Sequence, residues 1–222
     1  MASELAILSL FGFPAAGCVI AWIFTGRAWA AGRERHPSAD LSRIQGMAIV
    51  LVVLPVTLLL FGFALYMLLA VFPDEPLPTA VVEASARAYG IPALLAALGE
   101  AIAIRRALQA TFADVRLFGK GLVGVVLPET AVLFGFAVAF LILMGFRSLP
   151  PTATVEAFSI SAGNAAWYVA IGALAAPAAG LLFSQSWSPE NEATWKKAIV
   201  LAALPTYAFL GMFVLAFLEL NA

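Results

Sequence analysis

The sequence is poor in charge and almost without cysteine. Of its 222 residues 11% are charged, and Cys18 is the single cysteine, so no intrachain disulfide can form. The net charge is -1 and no basic patch is present, which excludes nucleic acid as an expected partner. No glycine-rich phosphate loop is present either, so no nucleotide site and no cofactor are expected in this chain. The opening Met1-Ala2-Ser3-Glu4 carries no positive charge. That argues against a cleaved signal peptide and makes the first apolar run part of the mature protein.

What the chain has in excess is apolar residues, 63% of the total. Soluble domains run nearer half apolar and a quarter charged. A surplus of this size at this length implies that lipid covers part of the surface. Six apolar runs are long enough to span a bilayer, whose ~30 Å core needs roughly 20 helical residues. They are Leu5–Ala30, Leu41–Phe72, Gly90–Phe112, Leu117–Phe146, Phe158–Trp187 and Trp195–Leu220. Several exceed the minimum, so tilt or projection beyond the bilayer is expected. None alternates at period two, which disfavours a membrane barrel.

The connections differ in charge. Arg27, Arg33, Arg35, Arg43, Arg105, Arg106, Arg116, Lys120, Lys196 and Lys197 cluster at the first, third and fifth turns of the chain, ten of the twelve basic residues. The opposite side holds Arg87 and Arg147 with Asp74, Glu75, Glu83 and Glu156. The positive-inside rule then places the hairpin loops in the cytoplasm and both termini on the other side.

The even runs repeat. RIQGMAIVLVVLPVTLLLFGFALYML, RLFGKGLVGVVLPETAVLFGFAVAFLIL and WKKAIVLAALPTYAFLGMFVLAFLEL share a Leu-Pro pair, at Leu54-Pro55, Leu127-Pro128 and Leu204-Pro205. A glycine follows seven residues after the proline at Gly62 and Gly135, and six after it at Gly211. The chain therefore reads as three tandem, parallel-oriented hairpins over 1-73, 86-147 and 157-222. The odd runs carry the small residues, among them Gly17, Gly99, Gly172 and Gly180. Small residues let helices approach closely in lipid. The expectation is an inner row of odd helices behind an outer row of bulkier even ones; an ordinary six-helix bundle is the alternative.

Two glutamates, Glu100 and Glu129, lie far from any predicted helix end. A carboxylate at that depth costs several kcal/mol unless neutralised or liganded. Either each has a functional role or it is a protonated, hydrogen-bonded structural residue. Positions 100 and 129 are equidistant from Asp114-Val115, the polar tip of the second hairpin. In antiparallel helices both then lie at one depth, up to ~22 Å from the tip. If they touch, both cannot ionise cheaply, and a proton or one cation is shared. Pro128 should free the carbonyl of Gly124. Thr57 and Thr130 add hydroxyls near this level, although a lone threonine commonly bonds back to its own helix.

The segment FGKGLVGVVLPETAVLFGFAVAFLILM, Phe118–Met144, resembles the outer helix of V-type and A-type ATPase proteolipids, the c or K subunits of the membrane rotor ring. Pro205-Thr206-Tyr207-Ala208-Phe209-Leu210-Gly211 is similar to that family's last helix. The resemblance implies an all-α membrane protein that assembles with copies of itself into a c-ring. It implies no catalysis in this chain but a role in an ion-translocating ATPase complex, carrying H+ or Na+. Implied partners are lipid, a stator subunit of the a or I type and a central-stalk subunit of the soluble head. By motif register it implies Glu129 as the ion carrier and Glu100 as co-ligand. The preceding hairpin supplies the Leu54 carbonyl and Thr57, and Leu58 stands where some relatives have a further glutamine ligand. With Na+, Glu129 and Glu100 are the metal ligands. The chain departs from the pattern in keeping its carboxylate in the middle hairpin: Val56 and Pro205 or Thr206 occupy the matching positions. One site per three hairpins favours a pump over a synthase. The oxygens available favour Na+ over H+. A stand-alone six-helix transporter or channel is the competing reading.

Overall fold

The computed structural model describes residues 4–71, 77–150 and 152–221. The acidic residues Asp74 and Glu75, and the end of the second run at Phe72, lie outside them. The described residues are all-helical and form six long helices, numbered α1 to α6. They are α1 (Glu4–Arg35), α2 (Leu41–Val53 continued by Val56–Val71), α3 (Thr79–Ala113), α4 (Val115–Arg147), α5 (Val155–Ser186) and α6 (Glu192–Leu220).

All but α3 are long and apolar enough to cross a membrane by composition. The chain is an integral membrane protein. α3 has the length, 35 residues, but carries Glu83, Arg87, Glu100, Arg105 and Arg106. It is also the most enclosed helix, with Ala86, Ala93, Ala97, Glu100 and Ala103 wholly buried. Its neighbours take the place of lipid, so its composition need not suit lipid. It starts at Thr79, a full eleven residues before the apolar run begins at Gly90. The early part escapes a hydropathy reading because Glu83 and Arg87 interrupt it; Arg87 stacks over the Trp167 ring of α5, 5.1 Å from its centroid.

The helices form two rows. α3 packs between α1 and α5, and α4 packs between α2 and α6. Within the odd row the contacts are glycine and alanine. A Cβ added at Gly17 would lie 2.5 Å from the Ala97 Cβ, and one at Gly90 would lie 2.2 Å from the Ser9 carbonyl. Between α3 and α5 the crossing is Gly99 on Ala176 and Gly180 on Gly99, at 2.4 and 2.2 Å for the added Cβ. Only glycine permits backbones this close. Gly172 does not belong to this row contact. It faces Phe209 and Met212 of α6.

The odd and even rows meet closely at two glycines. Pro14 and Pro92 lie four residues after Leu10 and Ala88, so those two carbonyls lack their helical donor. Gly62 of α2 lies over the Leu10 carbonyl and Gly135 of α4 over the Ala88 carbonyl, 2.2 and 2.7 Å from an added Cβ. Neither position has room for a side chain. In α6 one residue is missing between the Leu-Pro pair and the glycine, which turns the glycine by about 100°. Gly211 accordingly has nothing within 4 Å of an added Cβ.

Each tip closes on a side-chain cap. Asp40 accepts from the Arg43 amide, Asp114 from the Arg116 amide and Asn191 from the Ala193 amide. The Arg43 amide, and next the Ser42 hydroxyl, hold the Asp40 carboxyl below its usual range. The second tip turns at Asp114-Val115, midway between Glu100 and Glu129.

Candidate ion-binding site

The even helices are distorted where their prolines fall. α2 is interrupted at Leu54 and Pro55. In α4 the helix tightens into a 3-10 turn over Leu127–Glu129, with Pro128 at its start. α6 runs unbroken through Pro205. The two distorted turns lie side by side, and Glu129 faces Thr57 across them.

Thr57 Oγ1 lies 2.8 Å from Glu129 Oε1 and 2.7 Å from the Leu54 carbonyl oxygen. A hydroxyl has one hydrogen. With Glu129 ionised, the hydroxyl must choose between two acceptors. With Glu129 protonated, the acid donates to Thr57 and Thr57 donates to the Leu54 carbonyl, and every group is satisfied. The geometry therefore fits a protonated, neutral Glu129. Glu129 is half-buried.

Glu100 lies behind it on α3. It is 0% exposed, and neither carboxyl oxygen has a hydrogen-bond partner. Its neighbour Gly99 lies against the proline of the Glu129 turn, with 2.8 Å between an added Cβ and the Pro128 Cβ. A buried polar group without a partner costs free energy until a proton or ligand reaches it. Among the described residues no group of three or more His, Cys, Asp or Glu could hold a metal. Any metal ion here must draw on hydroxyl and backbone oxygens beside the two glutamates.

The structure thus brings Glu129, Thr57 and Leu54 together, with Glu100 enclosed beside them. Thr130 is different. Its hydroxyl donates to the Leu127 carbonyl of its own helix at 2.8 Å, and no bond joins it to Glu129. Gly124, whose carbonyl Pro128 frees, packs against the Phe183 ring of α5, with 2.2 Å between an added Cβ and the ring. Leu58 is wholly buried, and its carbonyl accepts from the Tyr89 hydroxyl. One neighbour escaped the sequence reading. Cys18 of α1 donates its thiol hydrogen to the Pro55 carbonyl, at 2.9 Å. The signal available was the recurrence of Gly17-Cys18 in α1 as Gly99-Glu100 in α3.

Comparison with known proteins places both glutamates in one matched segment. Residues 84–142 match the family of ATP synthase C subunits. Over 122 residues the chain is 35% identical to the K subunit of the A-type ATP synthase of Methanocaldococcus jannaschii, covering 54% of this chain and 55% of that protein. The chain spans about half the length of this curated relative.

Proposed function

From the premise that residues 84–142 are a hairpin of the ATP synthase C-subunit family, we propose that the chain is a rotor-ring subunit of a V/A-type ATPase. Copies of it close into a ring in the bilayer, and the ring carries cations past a stator subunit. The soluble head hydrolyses or makes ATP, and a central-stalk subunit joins it to the ring. The observation that carries this reading is Glu129 at a proline turn, bonded across to Thr57, with Glu100 enclosed behind it.

The division of labour follows the three hairpins, 1-73, 86-147 and 157-222. Only the second binds an ion, because Val56 and Pro205 or Thr206 replace the carboxylate elsewhere. Thr57 and the Leu54 carbonyl come from the first hairpin, so it completes the site of the second. Thr130 holds the matching place toward the third hairpin, where no carboxylate meets it. With fewer ions per turn, each ATP can drive an ion against a steeper gradient, which favours pumping.

Na+ is the ion this reading favours. Stripping its water in a low-dielectric site needs several oxygens, and the unsatisfied Glu100 oxygens add to those of Glu129, Thr57 and Leu54. The pair stays singly charged if Glu100 keeps a proton. Two measurements test the proposal. Native mass spectrometry of the solubilised protein should show a closed ring of many copies; a monomer that still transports ions would instead be a stand-alone transporter. Millimolar Na+ should slow carbodiimide modification of Glu129, and Glu100→Ala should largely remove that protection. Labelling that follows pH alone and ignores Na+ would make the ring a proton carrier.

Sidedness has its own test. In a Cys18→Ala background, Ser38→Cys in the first hairpin loop should react with an impermeant thiol reagent from the cytoplasmic side. Reaction from the opposite face only would reverse the orientation.

A further inference from the structure

Three helices supply the expected ligands of the ion site; α1 supplies none. Yet α1 forms a wall of the site through Cys18. The thiol is 1% exposed, and its hydrogen goes to the Pro55 carbonyl. Pro55 sits inside the interruption of α2, between Leu54 and Thr57. A proline removes one helical hydrogen bond, and the turn here is held locally by the Thr57 amide on the Leu54 carbonyl and the Leu58 amide on the Pro55 carbonyl, at 3.0 and 3.2 Å. The Thr57 hydroxyl ties this turn to α4 and the Tyr89 hydroxyl ties its end to α3; the Cys18 thiol ties the Pro55 carbonyl itself to α1.

A second observation points to a ligand at the same place. Both oxygens of Glu100 are buried and unpartnered. Gly17 packs on Ala97, and Glu100 is the next residue on that face of α3, one turn along. So α1 meets the site at the residue whose own oxygens await a partner.

We propose that Cys18 is a positioning residue of the cation site: bonded to the Pro55 carbonyl, it fixes the turn that presents the Leu54 carbonyl and the Thr57 hydroxyl to Glu129. The inference rests on the reading of Glu129 as the ion carrier. A thiol suits the task because it is a weak donor that can sit among apolar atoms with little loss on desolvation. The titratable groups that face it are Tyr89 and Glu100 of α3, with Glu129 of α4 across the turn; α2 between Leu51 and Phe63, and α5 between Ala173 and Ser184, carry none.

The test measures carbodiimide modification of Glu129 against pH, on purified full-length protein in Na+-free buffer. The reagent needs a protonated carboxyl. A displaced Thr57 accepts less well from neutral Glu129, so the proton leaves at lower pH. Cys18→Ala should move the midpoint about half a pH unit to acid, the size expected for one hydrogen bond. Cys18→Ser, which keeps a donor, should restore it. Cys18→Val, which keeps the volume, should shift it as alanine does and so separates the donor from packing. In a Thr57→Val background, Cys18→Ala should add nothing. A wild-type midpoint in both Cys18→Ala and Cys18→Val overturns the positioning role, as does an effect additive with Thr57→Val. Absence of Glu129 labelling in the wild type overturns the carrier reading, and this role with it.

Discussion

Glu129→Gln is expected to leave an assembled protein that moves no ions. Glutamine matches glutamate in shape and can still meet the Thr57 hydroxyl, 2.8 Å from Oε1 in the wild type. It cannot take up or release a proton, and it offers a cation no charge. Packing around the turn should survive, since Pro128 and the 3-10 geometry are untouched. Ring yield should therefore equal that of the wild type. Ion flux into liposomes should fall to the leak of protein-free vesicles, and ATP hydrolysis coupled to the ring should stop with it. Transport at the wild-type rate would remove Glu129 from its assigned role and leave Glu100 as the remaining buried carboxyl.

Gly99→Leu should abolish assembly. A single Cβ at this position would already lie 2.4 Å from the Ala176 carbonyl oxygen and 2.8 Å from the Pro128 Cβ. The first is backbone and the second is the ring that shapes the Glu129 turn, so neither can yield as a flexible side chain would. Overpacking typically costs about 1–3 kcal/mol, and a leucine against helix backbone belongs at the upper end or above. Gly172→Leu is expected to be milder, because Gly172 faces the Phe209 and Met212 side chains. Size-exclusion yields of the two variants compare them. A normal yield from Gly99→Leu would contradict the close α3 and α5 crossing.

Much of the architecture was legible because lipid imposes a simple rule on sequence. Five helices announce themselves by length and composition, and the polar pair Asp114-Val115 marks the tip of the second hairpin. The start of α3 was not legible. Glu83 and Arg87 break its apolar run, and only the tertiary structure shows that neighbouring helices enclose that stretch. The spacing of Pro and Gly in the even helices was visible as a repeat. What Gly62 and Gly135 pack against was not, since the Leu10 and Ala88 carbonyls lie on other helices.

The site divides in the same way. Counting from Asp114 puts Glu100 and Glu129 at one depth without any coordinates. Helix rotation is another matter. Thr57 and Thr130 occupy equivalent positions and make the same back-bond, to Leu54 and Leu127 at 2.7 and 2.8 Å. Only the placement of α2 beside α4 makes Thr57, and not Thr130, the partner of Glu129. Cys18 gave no sign alone, because a lone cysteine in an apolar run usually packs as a small hydrophobe. Its meaning depends on Pro55, thirty-seven residues away in sequence.

The most direct test of Glu129 as the single exchangeable carboxyl is peptide mapping of a carbodiimide adduct. The wild-type ring is labelled to completion at a pH where carboxyls are protonated, then digested and sequenced by mass spectrometry. One adduct per chain is expected, on the peptide containing Pro128-Glu129-Thr130, with none on the peptide containing Glu100, which is enclosed from solvent. An adduct on Glu100 with Glu129 unmodified would contradict the account.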